Sequence, residues 1–190
     1  MLTFPNSGGS SSYASLDART GLWKISSAEG PVMVDLKGKT MALDVANAVQ
    51  GWLHVGPSVA DWQPIERGQW GNAPSADHKP GVSLTVVIDG GEPRQLRGNS
   101  KALTGFIAAI AREVGSQAAA DGPLPLIRIE GSKVVKIGQG TSVDVQYKLA
   151  PAAKWVDRSV LHADGAEPAP APAKAAKAAP KAAEDDSLEF

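Results

Sequence analysis

Tryptophan and cationic side chains are the residues of this chain that are best suited to chemistry, and that chemistry is binding. Flat rings stack on the bases of a single nucleic-acid strand, and Lys and Arg contact its phosphates. The chain has five Trp beside three Phe and two Tyr. The predicted DNA-binding residues are Trp52, Trp62, Arg67, Trp70, Lys79, Arg94, Arg97 and Lys101.

Three of these tryptophans lie in or after one predicted strand. If Val49, Leu53 and Val55 face the interior, Trp52 faces outward, because side chains alternate along a strand. Residues 56–80 then show no periodicity and carry Trp62 and Trp70, and loops of this length are usually functional or disordered. The alternatives are a core position for Trp52 and a loop cluster that packs on the barrel.

A second basic group lies where a predicted hairpin leads into a helix. Arg94, Arg97 and Lys101 are close in sequence to Asn99 and Ser100, which can cap a helix. A helix N-terminus favours phosphate, so these side chains form a candidate backbone contact. The alternative is an ordinary solvated turn.

Enzymatic motifs fail on inspection. Gly38-Lys39-Thr40 resembles the end of a phosphate-binding loop, but Met33 stands where that motif needs glycine. Gly138-Gln139-Gly140 begins like a dinucleotide fingerprint, but Val143 takes the place of the third glycine. The three histidines have no metal-ligand spacing, and cysteine is absent. We therefore predict no catalytic residue, no metal site and no cofactor.

The order of elements predicts a mainly β fold. Strands are expected near residues 22–25, 32–36, 41–55, 82–88, 93–97, 124–130, 134–137, 143–149 and 154–158, with a hairpin at Gly131-Ser132. Leu103, Phe106, Ile107, Ile110 and Val114 fall on one face of an amphipathic helix. Curved strands with one helix between the third and fourth predict an OB-fold-like five-stranded barrel, which is a common platform for single strands.

Composition divides the chain into four parts. We expect a flexible segment at 1–20, the binding domain at 21–164, an Ala/Pro/Lys-rich linker at 165–183 and an acidic tip at 184–190. The net charge is only −1, so a DNA-binding groove has to be a local patch. With no charged-then-apolar leader and no long apolar run, we expect neither secretion nor membrane insertion.

The tip combines acidic and apolar side chains at the very end of the chain. Its predicted partner-binding residues are Glu184, Asp185, Asp186, Leu188, Glu189 and Phe190. Phe190 offers a ring and the terminal carboxylate, which suits an apolar pocket rimmed by basic residues.

A folded body, an extended linker and such a tip resemble bacterial single-stranded-DNA-binding proteins and their phage counterparts over about the final 26 residues. The resemblance implies a disordered tail that recruits replication and repair proteins and competes with DNA for the basic groove. The tip departs from the usual pattern, which has a longer acidic run and often Pro before Phe.

The sequence thus predicts a non-enzymatic, sequence-tolerant single-stranded-DNA-binding protein of replication, recombination or repair, in the cytoplasm of a bacterial cell or a phage-infected host. Its partners would be single-stranded DNA and proteins that bind the tip, with self-association left open. The alternative is a phage structural or scaffold protein whose barrel binds protein. Stacking serves RNA as well as DNA, so the sequence does not separate them.

Overall fold

The computed structural model describes residues 12–56, 60–66, 68–137 and 140–162. In this part of the chain the protein is mainly β, with one α-helix and one ten-stranded sheet. The strands are β1 (Tyr13–Leu16), β2 (Trp23–Ile25), β3 (Val32–Val34), β4 (Thr40–Leu43), β5 (Val49–Val55), β6 (Ala60–Pro64), β7 (Lys79–Ile88), β8 (Pro93–Gly98), β9 (Leu126–Ile137) and β10 (Gly140–Leu149). The helix α1 spans Lys101–Val114.

Strand β7 is the centre of the sheet. It pairs with β8 along one edge and with β4 and β5 in succession along the other. The main path runs β10-β9-β4-β7-β8-β1-β2-β3, and the β5–β6 hairpin branches from β7. The run Val82–Ile88 of β7 is rich in β-branched residues, which suits a central, buried strand. Asp89 and Gly90, both at positive φ, form the tight turn into β8.

Helix α1 covers the inner side of the curled sheet, as the apolar spacing predicts. Ser100 caps it, because its side chain accepts a hydrogen bond of 3.2 Å from the Leu103 N–H. Phe106 packs edge-on against Trp23 of β2 and against Tyr147 of β10, so one ring joins both ends of the sheet. This packing holds the sheet in its curl.

The closed five-stranded barrel is not confirmed. Strands β10 and β3 end the sheet, and within the described ranges no pairing joins them. The helix does lie between two strands as expected, but these are β8 and β9. The sheet has more strands because short segments with little hydrophobic signal, such as β1 and β6, gain partners only through tertiary contacts.

Three local predictions differ from the structure. Tyr13–Leu16, within the segment expected to be loose, is a strand that pairs with β2 and β8. Residues 60–64, within the expected loop, form β6 against β5. No hairpin turns at Gly131-Ser132, because Gly131, at φ 137°, lies beside a bulge within the continuous strand β9.

The strand expected at 154–158 is not formed, and the segment after β10 is instead held to the body by an ion pair. Residues 152–154 and 158–162 are 3₁₀ turns, and Val156 forms an isolated bridge to Leu124. Two guanidinium nitrogens of Arg158 donate to the two carboxylate oxygens of Asp44 at 2.7 and 2.9 Å. These hydrogen bonds raise the pKa of Arg158. No helix among the described residues is long and apolar enough to cross a membrane.

Candidate nucleic-acid interface

Two of the predicted residues, Trp62 and Arg97, meet on the face of the sheet that points away from α1. Paired residues share a face, and Leu53 pairs with Trp62 while Ser83 pairs with Arg97. Val49, on the same side of β5 as Leu53, pairs with Ser83, so all of them lie on one face. We call the face that carries Trp62, Ser83 and Arg97 the outer face. The Arg97 guanidinium carbon lies 5.2 Å from the centroid of the Trp62 ring, which is cation–π geometry.

Gly51 leaves space for the Trp62 ring because it has no side chain. A Cβ at this glycine would lie 2.8 Å from two ring carbons of Trp62 and 2.5 Å from the Gln63 carbonyl oxygen. Real Cβ atoms do not approach other atoms so closely, so only glycine lets the ring lie flat across β5. Gly51 therefore lies directly against the Trp62 ring, and a side chain at this position would displace the ring.

Arg97 has no acidic partner in the described part of the chain. Its Nε donates a long hydrogen bond of 3.3 Å to the Ser83 hydroxyl, and no carboxylate lies within 4 Å. Its side chain is half-buried, and this burial lowers the pKa of the guanidinium. A bound anion would offset that desolvation, so the side chain is poised for a phosphate or a carboxylate.

Arg97 stands between two depressions of the outer face. One, of about 310 Å³, is lined by Trp62, Ser83, Thr85 and Gln95 among others. The other, of about 620 Å³, shares Gln95 and Arg97 with the first. Its further lining residues include Tyr13, Ser15 and Lys24. An extended ligand that crosses Arg97 would contact both.

Tyr13 and Lys24 were missed as candidate site residues. Each lies on a short strand, β1 or β2, and the register places both on the outer face with Gln95. Lys24 is exposed and, like Arg97, has no ion-pair partner among the described residues. The alternation of Lys24 with buried Trp23 was the one available signal.

Trp52 and Trp70 lie on the other face of the same hairpin. Trp52 pairs with Pro80, which lies two residues from core residue Val82 and therefore shares its face. The Trp52 side chain is thus on the helix side of the sheet. Its ring meets that of Trp70 edge to face, with centroids 5.3 Å apart and an interplanar angle of 84°. The structure therefore separates the predicted tryptophans: Trp62 lies on the outer face of the β5–β6 hairpin, and Trp52 and Trp70 lie together on its other face.

A groove of about 1060 Å³ runs beside Trp70 between α1 and the sheet. Its walls are mainly apolar, from residues such as Ile65 and Ile107, and Lys79 and Lys101 also line it. The Lys79 ammonium donates to the Ala76 carbonyl at 3.0 Å, whereas Lys101 is exposed at the start of the helix. This groove is larger than either depression of the outer face.

The remaining predicted residues do not join either group. Arg94 donates to a Glu92 carboxylate oxygen at 2.6 Å and to the Ser26 carbonyl oxygen at 2.7 Å. Its charge is therefore neutralised within the fold. Arg67 and all six predicted tip residues, 184–186 and 188–190, lie outside the described residues.

A histidine network anchors the segment that carries Trp70. His78 is buried, its Nδ1 lies 2.8 Å from the Ser75 hydroxyl and its Nε2 lies 3.1 Å from an Asp61 carboxylate oxygen. The ring of His54 lies edge-on to it at 5.6 Å. Both His78 nitrogens are thus in use, and in the described ranges no cluster of His, Cys, Asp and Glu has the form of a metal site.

Comparisons with known proteins return no family model, no curated protein and no solved structure that matches this chain.

Proposed function

We propose that this protein binds single-stranded DNA without catalysing a reaction, and that the outer face is its primary contact. The observation that carries the proposal is the half-buried Arg97, which lies over Trp62 and has no carboxylate within 4 Å among the described residues. A guanidinium that lies over a ring offers its outer plane for base stacking, and its edge suits phosphate bidentately.

In this proposal the strand crosses Arg97 and rests on both depressions. One base stacks on the outer plane of the Arg97 guanidinium, which Trp62 supports, and another stacks on Tyr13, while Lys24 and Arg97 neutralise phosphates. Gln95 adds hydrogen bonds that any base can use, so little sequence preference is expected. Trp70 and Lys101 form a secondary contact that a longer strand reaches around the edge strand β6.

The finer parts of the proposal rest on the sequence. The curled sheet with its inner helix is proposed to be an enlarged OB-like barrel. The tip at 184–190 is proposed to recruit replication, recombination or repair proteins through Leu188, Phe190 and the four carboxylates around them, Glu184, Asp185, Asp186 and Glu189. These proposals fit the cytoplasm of a bacterial cell or a phage-infected host.

The test is a titration with a deoxythymidine 30-mer at two salt concentrations, followed by tryptophan fluorescence. Arg97→Gln should weaken binding by about tenfold and reduce the salt dependence by about one phosphate contact. Trp62→Ala should remove about 1–3 kcal/mol of binding free energy.

Arg94→Gln is the matched control, because it removes the same charge from the same strand at an arginine that is already paired. It should leave the affinity nearly unchanged. Equal losses for Arg94→Gln and Arg97→Gln would show general electrostatics and not a site. Absence of binding at micromolar protein would refute the proposed function.

A second candidate is a phage structural or scaffold protein that binds protein. It is favoured by large apolar side chains that are exposed, namely Val32, Met33, Val49, Val55, Trp70 and Val134. In that case the fluorescence of Trp70 responds to a protein partner and not to an oligonucleotide.

A further inference from the structure

The sheet ends in three edge strands that are protected to different degrees. Strand β3 has three residues and follows Pro31, and β6 has five residues and ends at Pro64. Short length and proline are the usual protections of an edge against pairing. Strand β10 has ten residues and no proline, and among the described residues it pairs with β9 alone. Its long free edge is the exception.

The backbone of β10 presents a regular set of free groups. The Ala150 N–H donates to the Leu126 carbonyl across the pair with β9. Because amide directions alternate along a strand, the backbone groups of Val143, Val145, Tyr147 and Leu149 point to the free edge. These are four residues in one register.

The exposed side chains of β10 are self-complementary about one point. Asp144, Gln146 and Lys148 alternate with the buried residues and lie on one face. If a second copy pairs antiparallel with a two-fold axis at Gln146, each Asp144 lies opposite the other copy's Lys148. An axis at Asp144 or Lys148 would instead oppose like charges.

The charges around Lys148 favour this pairing. Lys148 lies directly opposite Arg128 of β9, a like-charge pair that destabilises a sheet. Both side chains are exposed, and no carboxylate within the described residues forms an ion pair with either. In the antiparallel dimer Asp144 of the second copy lies opposite Lys148 and offsets the repulsion between Lys148 and Arg128.

The backbone directions are compatible with this axis. With the two-fold at Gln146, Val145 faces Tyr147 of the other copy and Val143 faces its Leu149. All four carry edge-directed amides, so each such pair exchanges two hydrogen bonds. From charge and register together, we propose that this protein forms a two-fold dimer by antiparallel pairing of β10 with β10 of a second copy.

Sedimentation velocity of the full chain at 1–100 µM tests the proposal. A dimer is expected, and Lys148→Glu, which places like charges opposite each other twice, should weaken it by at least about tenfold. Lys148→Arg keeps the charge and should behave as the wild type. Combining Asp144→Lys with Lys148→Asp reverses both ion pairs and should restore the dimer.

A single cysteine tests the axis, because the chain has none of its own. Gln146→Cys places two thiols across a non-hydrogen-bonded pair, with Cα atoms about 4.5 Å apart, within the range of a disulfide. Mild oxidation should cross-link it. Thr141→Cys, about 33 Å from its equivalent in the same register, should not cross-link. A monomer up to 100 µM, a dimer insensitive to Lys148→Glu, or equal cross-linking of both variants would overturn the proposal.

Discussion

Replacing Arg158 by methionine should destabilise the fold by about 3 kcal/mol. The change keeps the apolar stem but leaves the Asp44 carboxylate, only 7% exposed, with the Asn47 amide as its remaining side-chain donor. Breaking one partner of a buried ion pair costs about 3–5 kcal/mol. The Arg158 side chain is 20% exposed, so water can approach the site and the lower end of the range applies.

Urea unfolding measures this loss of free energy and thermal unfolding measures the melting temperature, both followed by circular dichroism. For a domain of this size 1 kcal/mol corresponds to about 2–4 °C, so the melting temperature should fall by about 6–12 °C. Arg128→Met is the control, because Arg128 is exposed and unpaired among the described residues, and its effect should stay within about 0.5 kcal/mol.

The double variant separates the pair from the packing. Asp44→Asn together with Arg158→Met removes both charges, so it should lose less stability than Arg158→Met alone. A loss below about 1 kcal/mol for Arg158→Met would refute the reasoning, because it would mean that Asp44 is well hydrated or that the segment after β10 is not held there.

Two further variants test other contacts. Gly51→Ala should destabilise the protein by about 1–3 kcal/mol and displace the Trp62 ring, lowering DNA affinity, because its Cβ meets that ring and the Gln63 carbonyl. Gly105→Ala on α1, where a Cβ meets nothing within 4 Å, is the control and should stabilise the protein by up to about 1 kcal/mol. If Gly51→Ala left the stability unchanged, the close approach of the Trp62 ring to Gly51 would be contradicted. Burial and Glu113 raise the pKa of Tyr147 from 10.0 to about 12, so its contribution to stability is present below pH 10 and is lost as the pH rises towards 12. Alkaline unfolding of Tyr147→Phe should lack this component, and an unchanged profile would count against the Glu113 contact.

The strongest periodic patterns in the sequence predicted their elements well. Helix α1 and strands β7 and β8 were anticipated, because five apolar helix positions and an Asp-Gly turn are local signals. Strands β1 and β6 were not, since their sequences, YASL and ADWQP, contain no run of apolar or β-branched residues. Their existence depends on partners from elsewhere in the chain.

The candidate site was predicted in its residue types but not in its geometry. Trp62 and Arg97 were both named, yet nothing local indicated that they would meet. The pairing of Leu53 with Trp62 places Trp62 and Trp52 on opposite faces, and register is a tertiary property. Likewise, only the fold shows that Arg94 is neutralised and Arg97 is not.

The central position of β7 has a consequence for the order of folding. Its pairing with β8 closes through a four-residue connection, 89–92, whereas its pairing with β4 joins residues more than forty positions apart, from Met41 to Ile88. Loop closure favours the local hairpin, so β7 and β8 should form first and serve as the template on which β4 and β5 assemble. The backbone amides of β7, flanked on both edges, should then be the slowest of the chain to exchange with solvent.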